Sequence, residues 1–256
     1  MLSAVLAAFT VVLDAGHGGS NLGAQGVEAH VHEKRLTLAV ARLVETRLRA
    51  RGVKVFLTRR TDTLLTLRER VRRANAWAPD LFVSLHFNAS PDRSQRGSEA
   101  YVLDPAGAAL EVHRAGVRAG GDEPGAAAQA AQIRAEHAQD HARTLAWEAA
   151  RGIQRRVCGA LAEASGVPRA SLDRGVRAAA LDVLRGATAP AVLAEIAFID
   201  HPLEGREILR PRVQAELADA VAQAIAEVGV EARRGRAQES KQGESPVNPR
   251  TPVGAP

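Results

Sequence analysis

The stretch EKRLTLAVARLVETRLRARGVKVFLTR, Glu33–Arg59, changes period partway along. Apolar residues at 36, 40, 43, 44 and 48 fall on one helical face, so the spacing predicts a helix over Glu33–Arg51. Gly52 supplies a stop for it. VKVFLTR, Val53–Arg59, then alternates and is β-branched, which is the pattern of a strand. Upstream, VVLDAGHGG begins with a short apolar run, Val11–Asp14, that reads as a buried strand. Strand, helix and strand in this order make a βαβ unit, which implies a parallel pair and a right-handed crossover.

The rest of the chain extends that unit. Thr66 and Glu69 stand at capping-box spacing ahead of a helix from about Leu67 to Ala78. DLFVSLHFNAS (Asp80–Ser90) reads as a third strand and GSEAYVL (Gly97–Leu103) as a fourth. Ala, Gly and charge dominate the segment at about 105–140, which reads as an insertion. His137–Ser165 reads as one Ala-rich helix, and strands are expected near Ala180–Leu184 and from Ala191 to about Ile196. Helices over Pro202–Leu209 and Arg212–Val228 follow. The expected fold is therefore α/β, a three-layer sandwich. Its mostly parallel mixed sheet has about six strands, with helices on both faces.

Residues 11–230 form the expected folded domain, with the insertion inside it. Residues 231–256 are Pro, Gly, Ser, Gln and charge, a composition expected to stay disordered. That basic tail carries much of the net charge of +5, so the high isoelectric point says little about nucleic acid. Aromatic residues are 3% of the chain and no basic patch is interleaved with them, which argues against a base-stacking surface. Cys158 is the single cysteine, so an internal disulfide and a thiolate metal cluster are excluded. Residues 1–10, MLSAVLAAFT, are apolar without a positive n-region. They read either as the remnant of a trimmed signal or as a first turn or strand.

Ligands of α/β sheets bind beyond the carboxyl ends of the strands. His17 follows the first strand and His86 ends the third. Glu195 interrupts the most apolar strand, and Glu33 opens the first helix. Each has a plainer reading. An acid at a helix start is favoured by the helix dipole, and a histidine in a strand can be a hydrogen-bonded core residue. Glu195 resists that reading, because a carboxylate in an apolar strand needs a partner, a metal or a proton. Together, two His and one Glu are a ligand set for catalytic zinc, and the remaining Glu can serve as general base. Which Glu takes which part stays open at this stage. His30 and His32 read as surface residues, as do His113, His137, His141 and His201. The glycines around His17 match neither a dinucleotide fingerprint nor a phosphate loop. They are read as giving a metal and a bulky substrate close access to the imidazole.

Taken in order, VVLDAGHGG, HEKRLTLAVARLVETRLRARGVKVFLTR, TLRERVRRANAWAPDLFVSLHFNAS, GSEAYVL and APAVLAEIAFIDHP resemble the blocks of the zinc-dependent N-acetylmuramoyl-L-alanine amidases, amidase type 3. The likeness covers roughly Val11–Val228. It implies that His17, Glu33 and His86 hold a zinc ion and that Glu195 is the catalytic residue. Ala197 and His201 stand where members often carry Gly and Asn.

The resemblance further implies hydrolysis, in peptidoglycan, of the amide joining N-acetylmuramic acid to L-alanine. Asp14 is expected to orient His17 as an acceptor behind it, and Asn88 to touch substrate. Some relatives that act in cell separation carry a helical insertion that covers the site and supplies an extra acidic ligand. Glu111, Asp122, Glu123, Glu136 and Asp140 are the candidates here, in a lid that an activator protein would release. The substrate places the protein in the periplasm or outside the cell, with glycan-peptide strands as partner. The alternatives are a zinc peptidase acting within the stem peptide and a non-catalytic wall-binding protein on the same fold.

Overall fold

The computed structural model describes residues 9–103 and 126–243. Six strands form one sheet in the order β2-β1-β3-β6-β4-β5. They are β1 (Thr10–Ala15), β2 (Lys54–Leu57), β3 (Leu81–Asn88), β4 (Ser98–Leu103), β5 (Asp173–Ala179) and β6 (Ala191–Phe198). All neighbours are parallel except β4 and β6, which run antiparallel. The expected α/β sandwich with a mostly parallel mixed sheet is the architecture found.

The βαβ unit forms as read. Helix α1 (Glu33–Ala50) ends in a paired turn in which the N–H of Val53 reaches the carbonyl of Leu48 and that of Gly52 the carbonyl of Arg49. Such a turn needs a left-handed residue just past the helix, and Gly52 has φ +76°. Helix α2 (Leu67–Ala76) carries the capping box, with Thr66 Oγ1 accepting from Glu69 N–H and Glu69 accepting from Thr66 N–H.

The sheet's two faces are covered differently. Helices α1, α3 (Ala126–Ser165) and α5 (Pro211–Gly243) lie on one face. Leu36, Val40, Ile153, Val157, Leu217 and Val221 there bury against Val11, Leu13, Val83, Leu85 and Val192. Gly152 faces Ala224, and such small residues let α3 and α5 approach closely. Aliphatic side chains make up most of this core, with Phe9 and Phe87 set among them. On the opposite face Val12, Phe82 and Leu193 meet Ala74 of α2 and Val183 and Leu184 of a turn, with Phe56 stacked on Trp77. That cover is short, and it leaves His86 near the end of β3 and His17 just past β1 open to a cavity. A four-residue helix, α4 (Glu204–Glu207), closes the segment after β6.

Two expectations need correction. The strand expected near Ala180–Leu184 is instead β5 at Asp173–Ala179, and Leu181–Ala187 forms turns. β5 is an edge strand whose residues are half-buried or exposed, so it lacks an apolar pattern, whereas Val183 and Leu184 are apolar because they plug the second face. The segment after residue 230, expected to lack structure, continues α5 through Gly243. Its Ala, Arg, Gln, Glu and Lys are good helix formers even where few apolar groups are available to bury. Residues 244–256 lie outside the described residues, as do 1–8. So does 104–125, the first part of the insertion, where Glu111, His113, Asp122 and Glu123 fall and with them most of the expected lid.

Candidate metal centre

Alternation along the strands delivers the site residues to one face. In β3, Leu85 and Phe87 point into the helix-covered core, so Ser84, His86 and Asn88 point the other way. Glu195 of β6 is the register partner of His86 and shares its face. His17 sits just beyond β1 in the left-handed region, φ +59°, an uncommon conformation for a residue with a side chain. Glu33 is the first residue of α1.

These groups converge. His17 Nε2 lies 2.9 Å from Glu33 Oε2, and His86 Nδ1 lies 3.0 Å from Glu33 Oε1. One ligand atom from each of His17, Glu33 and His86 falls within 4.8 Å of the others, and among the described residues this is the cluster that could hold a metal. The Glu33 carboxylate is oriented by the N–H groups of Ala24 and Phe87, at 2.9 and 3.0 Å. Burial pushes that carboxyl up, but the hydrogen bonds and charges of His17 and His86 together outweigh it and hold it well below the usual range. Burial likewise pulls His86 down, and the contact with Glu33 more than reverses it. Two imidazoles around an ionised, nearly buried carboxylate are the donors a divalent transition metal prefers.

The glycines serve this packing more than access. A Cβ on Gly16 would stand 2.4 Å from the His86 ring, and one on Gly23 would stand 2.6 Å from Glu33 Oε2 and 2.7 Å from the His17 ring. Side chains at either position would push the three groups apart.

Glu195 lies at the edge of the cluster, and its Oε2 is buried with no hydrogen-bond partner. Burial pushes its carboxyl up to about 7; His86 pulls it down, while Glu33 and Glu99 add to the rise. A cavity of about 200 Å³ beside the cluster is lined by His17, His86, Asn21, Leu64, Leu67 and Val183. His17 and His86 of the cluster face this cavity, and Glu195 stands beside His86 on the neighbouring strand.

Other expected residues sit elsewhere. Asp14 does not touch His17; the His17 Nδ1 partner is Asn21 Oδ1 at 2.9 Å. Asp14 is buried among Thr58, Ser84 and Arg70, whose Nη1 donates to it at 2.8 Å. A buried charge pair of this kind fixes geometry. Arg70 also donates to the carbonyls of Ala15 and His17, so Asp14 acts on the His17 backbone through Arg70. Asn88 donates to Glu99 Oε1 at 2.6 Å. His30 pairs with Glu28 at the surface, and His32 is half-buried at the start of α1. His137 and His141 are exposed on α3, and His201 accepts the N–H groups of Leu203 and Glu204. Neither Glu136 nor Asp140 joins the metal cluster.

Sequence reading missed Arg59 and Arg70. Arg59, almost fully buried, donates to the carbonyls of Ala15, Gly16 and Lys34. The two arginines thus clamp the backbone that presents His17. Arg70 sits four residues from Ala74 on the buried side of α2, and a cation at a core-facing helical position was the available signal.

Comparison with known proteins finds a family match over most of the chain. Residues 11–227 match the family described as N-acetylmuramoyl-L-alanine amidase. The chain is 28% identical over 218 residues to the amidase AmiC of Neisseria meningitidis, covering 84% of this chain and 51% of that protein. It is 31% identical over 216 residues to the amidase LytC of Bacillus subtilis, covering 84% of this chain and 34% of that protein. The chain thus spans about half or less of the length of these relatives. The catalytic domain of CwlV, an amidase of Bacillus (Paenibacillus) polymyxa, superposes with a TM-score of 0.60 at 28% identity, covering 86% of this chain and 97% of that one. The sheet, the His–Glu–His cluster and a match over most of its length place this chain in the N-acetylmuramoyl-L-alanine amidase family.

Proposed function

We propose that this protein is a zinc hydrolase that cleaves the amide between N-acetylmuramic acid and L-alanine in peptidoglycan. The observation that carries this reading is the approach of His17, Glu33 and His86 beside the unpartnered Glu195 carboxylate. The three ligands would hold the ion, which, when bound, supplies the positive charge that polarises a carbonyl and acidifies a water. The backbone N–H groups of Ala24 and Phe87 keep Glu33 aimed at that position. Glu195 takes the proton of the attacking water and later returns it to the leaving amine of L-alanine. Its burial raises its proton affinity, which suits a group that must both accept and give a proton near neutral pH. The open side of the sheet receives the glycan-peptide strand. A wall substrate implies action in the periplasm or outside the cell, and a lid over residues 105–140 released by an activator protein belongs to the same reading.

The test is product analysis of peptidoglycan digested by the zinc-loaded protein, by the protein stripped with chelator, and by Glu195→Gln. The reading expects glycan strands freed of intact stem peptides, from the loaded protein alone. Shortened stem peptides would instead identify a peptidase. Wall binding without any cleavage by loaded protein would identify a non-catalytic binder.

A further inference from the structure

Beyond Glu195 the open face of the sheet turns basic. Glu99 of β4 is the register partner of Glu195 and shares its face. Its side chain is 5% exposed and holds more donors than one carboxylate needs. Asn88 Nδ2 donates to Oε1 at 2.6 Å, Arg177 Nη1 donates to Oε2 at 3.1 Å, and Arg174 Nε stands 3.6 Å from Oε2. Two guanidinium groups on one carboxylate leave a surplus positive charge.

That charge is presented rather than hidden. The Arg177 side chain is 54% exposed; beside Glu99 it neighbours the Tyr101 hydroxyl, and its Nη2 reaches the carbonyl of Arg174 at 3.5 Å. Arg174 is held over the ring of Phe198 at 5.0 Å and donates to Gln95. Arg177 is tethered in turn to Glu99 and to the Arg174 carbonyl, and a guanidinium held in this way binds an anion with less further loss of freedom. Its planar fork also matches a carboxylate in two places.

The distance suits a particular group. Strands lie about 4.8 Å apart, so β4 and β5 stand about 5 and 10 Å from β6, where Glu195 works. An extended peptide advances about 3.3–3.6 Å per residue, so two residues past the scissile amide reach this shelf. In a stem peptide the residue after L-alanine is a glutamate joined onward through its side-chain carboxyl. Its α-carboxyl is left either free or amidated.

We infer that Arg177, seated with Arg174 on Glu99, binds that free α-carboxylate and makes the enzyme selective for acidic over amidated stem peptides. This inference rests on the amidase reading of the neighbouring centre. Glu99 is then a positioning residue, and the surplus cation is the recognition element.

Calorimetric binding to the full-length, zinc-loaded Glu195→Gln protein tests it. The ligands are N-acetylmuramyl-L-alanyl-D-isoglutamate and its isoglutamine amide. The acid is expected to bind about fivefold or more tighter than the amide, the gain of one charge-assisted contact. Arg177→Gln should erase that preference while leaving the amide's affinity within about twofold, and Arg177→Lys should restore part of it. Equal binding of acid and amide to the Glu195→Gln protein overturns the inference, and this comparison needs no change at Arg177. Equal weakening of both ligands by Arg177→Gln also overturns it, since a residue that merely supports Glu99 would act that way. If neither ligand binds and the loaded wild type cleaves neither, the amidase reading itself falls.

Discussion

The two faces of the sheet are made by the same strands and serve opposite ends. On the face under α1, α3 and α5, Val83, Leu85, Phe87, Ala194 and Ile196 are sealed into an aliphatic core. One residue away on the same strands, Ser84, His86, Asn88 and Glu195 face the short cover of α2 and the cavity. The period of two that builds the core therefore also presents the chemistry, and a slip of one residue would exchange them. The difference teaches where stability and activity reside. Substitutions on the helix face should unfold the protein. Those on the open face should silence it.

Substitutions on the two faces put that division to the test. The largest effect expected is on the open face, where Glu195→Gln should lower kcat on labelled peptidoglycan about 10²–10⁴-fold. The same change removes an unpartnered buried carboxylate, so the melting temperature should hold or rise. A large fall in melting temperature would break the division of labour. Arg70→Met is the hybrid case. It strands the buried Asp14 carboxylate, with an expected loss of about 3–5 kcal/mol in urea unfolding. It also frees the His17 carbonyl, so zinc affinity measured by competition should fall in the folded fraction. Unchanged zinc affinity would show that the clamp does not hold His17.

On the helix face Leu85→Ala should cost about 2–5 kcal/mol of stability by the same unfolding assay. Residual folded protein should retain wild-type kcat, and a kcat loss matching that of Glu195→Gln would contradict the separation. The smallest effect is at Cys158, buried on the inner side of α3, where burial pushes the thiol up to about 12. At neutral pH it stays protonated, so a thiol reagent should label it only as fast as the protein opens. Fast labelling of native protein would mean that this part of the core is loose.

Much of this arrangement is written locally. The α1 stripe and Gly52, the capping box at Thr66 and Glu69, and the strand around His86 all depend on neighbours a few residues apart. Periodicity and turn chemistry can read such neighbours. Reading failed where the signal is not local. β5 is a half-exposed edge strand without alternation, and Val183 and Leu184 owe their apolar character to a plugging turn. The same limit applies to polar groups: Asp14 was assigned to the nearest histidine in sequence, whereas its partner, Arg70, is fifty-six positions away.

By itself the sequence determined the βαβ unit, the mixed sheet, the family, and the presence of two histidines and two glutamates at strand and helix ends. Tertiary structure decided which of them meet. Only the strand order β1-β3-β6 sets His17, His86 and Glu195 on adjacent strands, and only the docking of α1 brings Glu33 to both imidazoles. The physical reason is range. Propensity and period act over a few residues, while the contacts that position a metal ligand or a buried arginine join residues that only the closed sheet brings together.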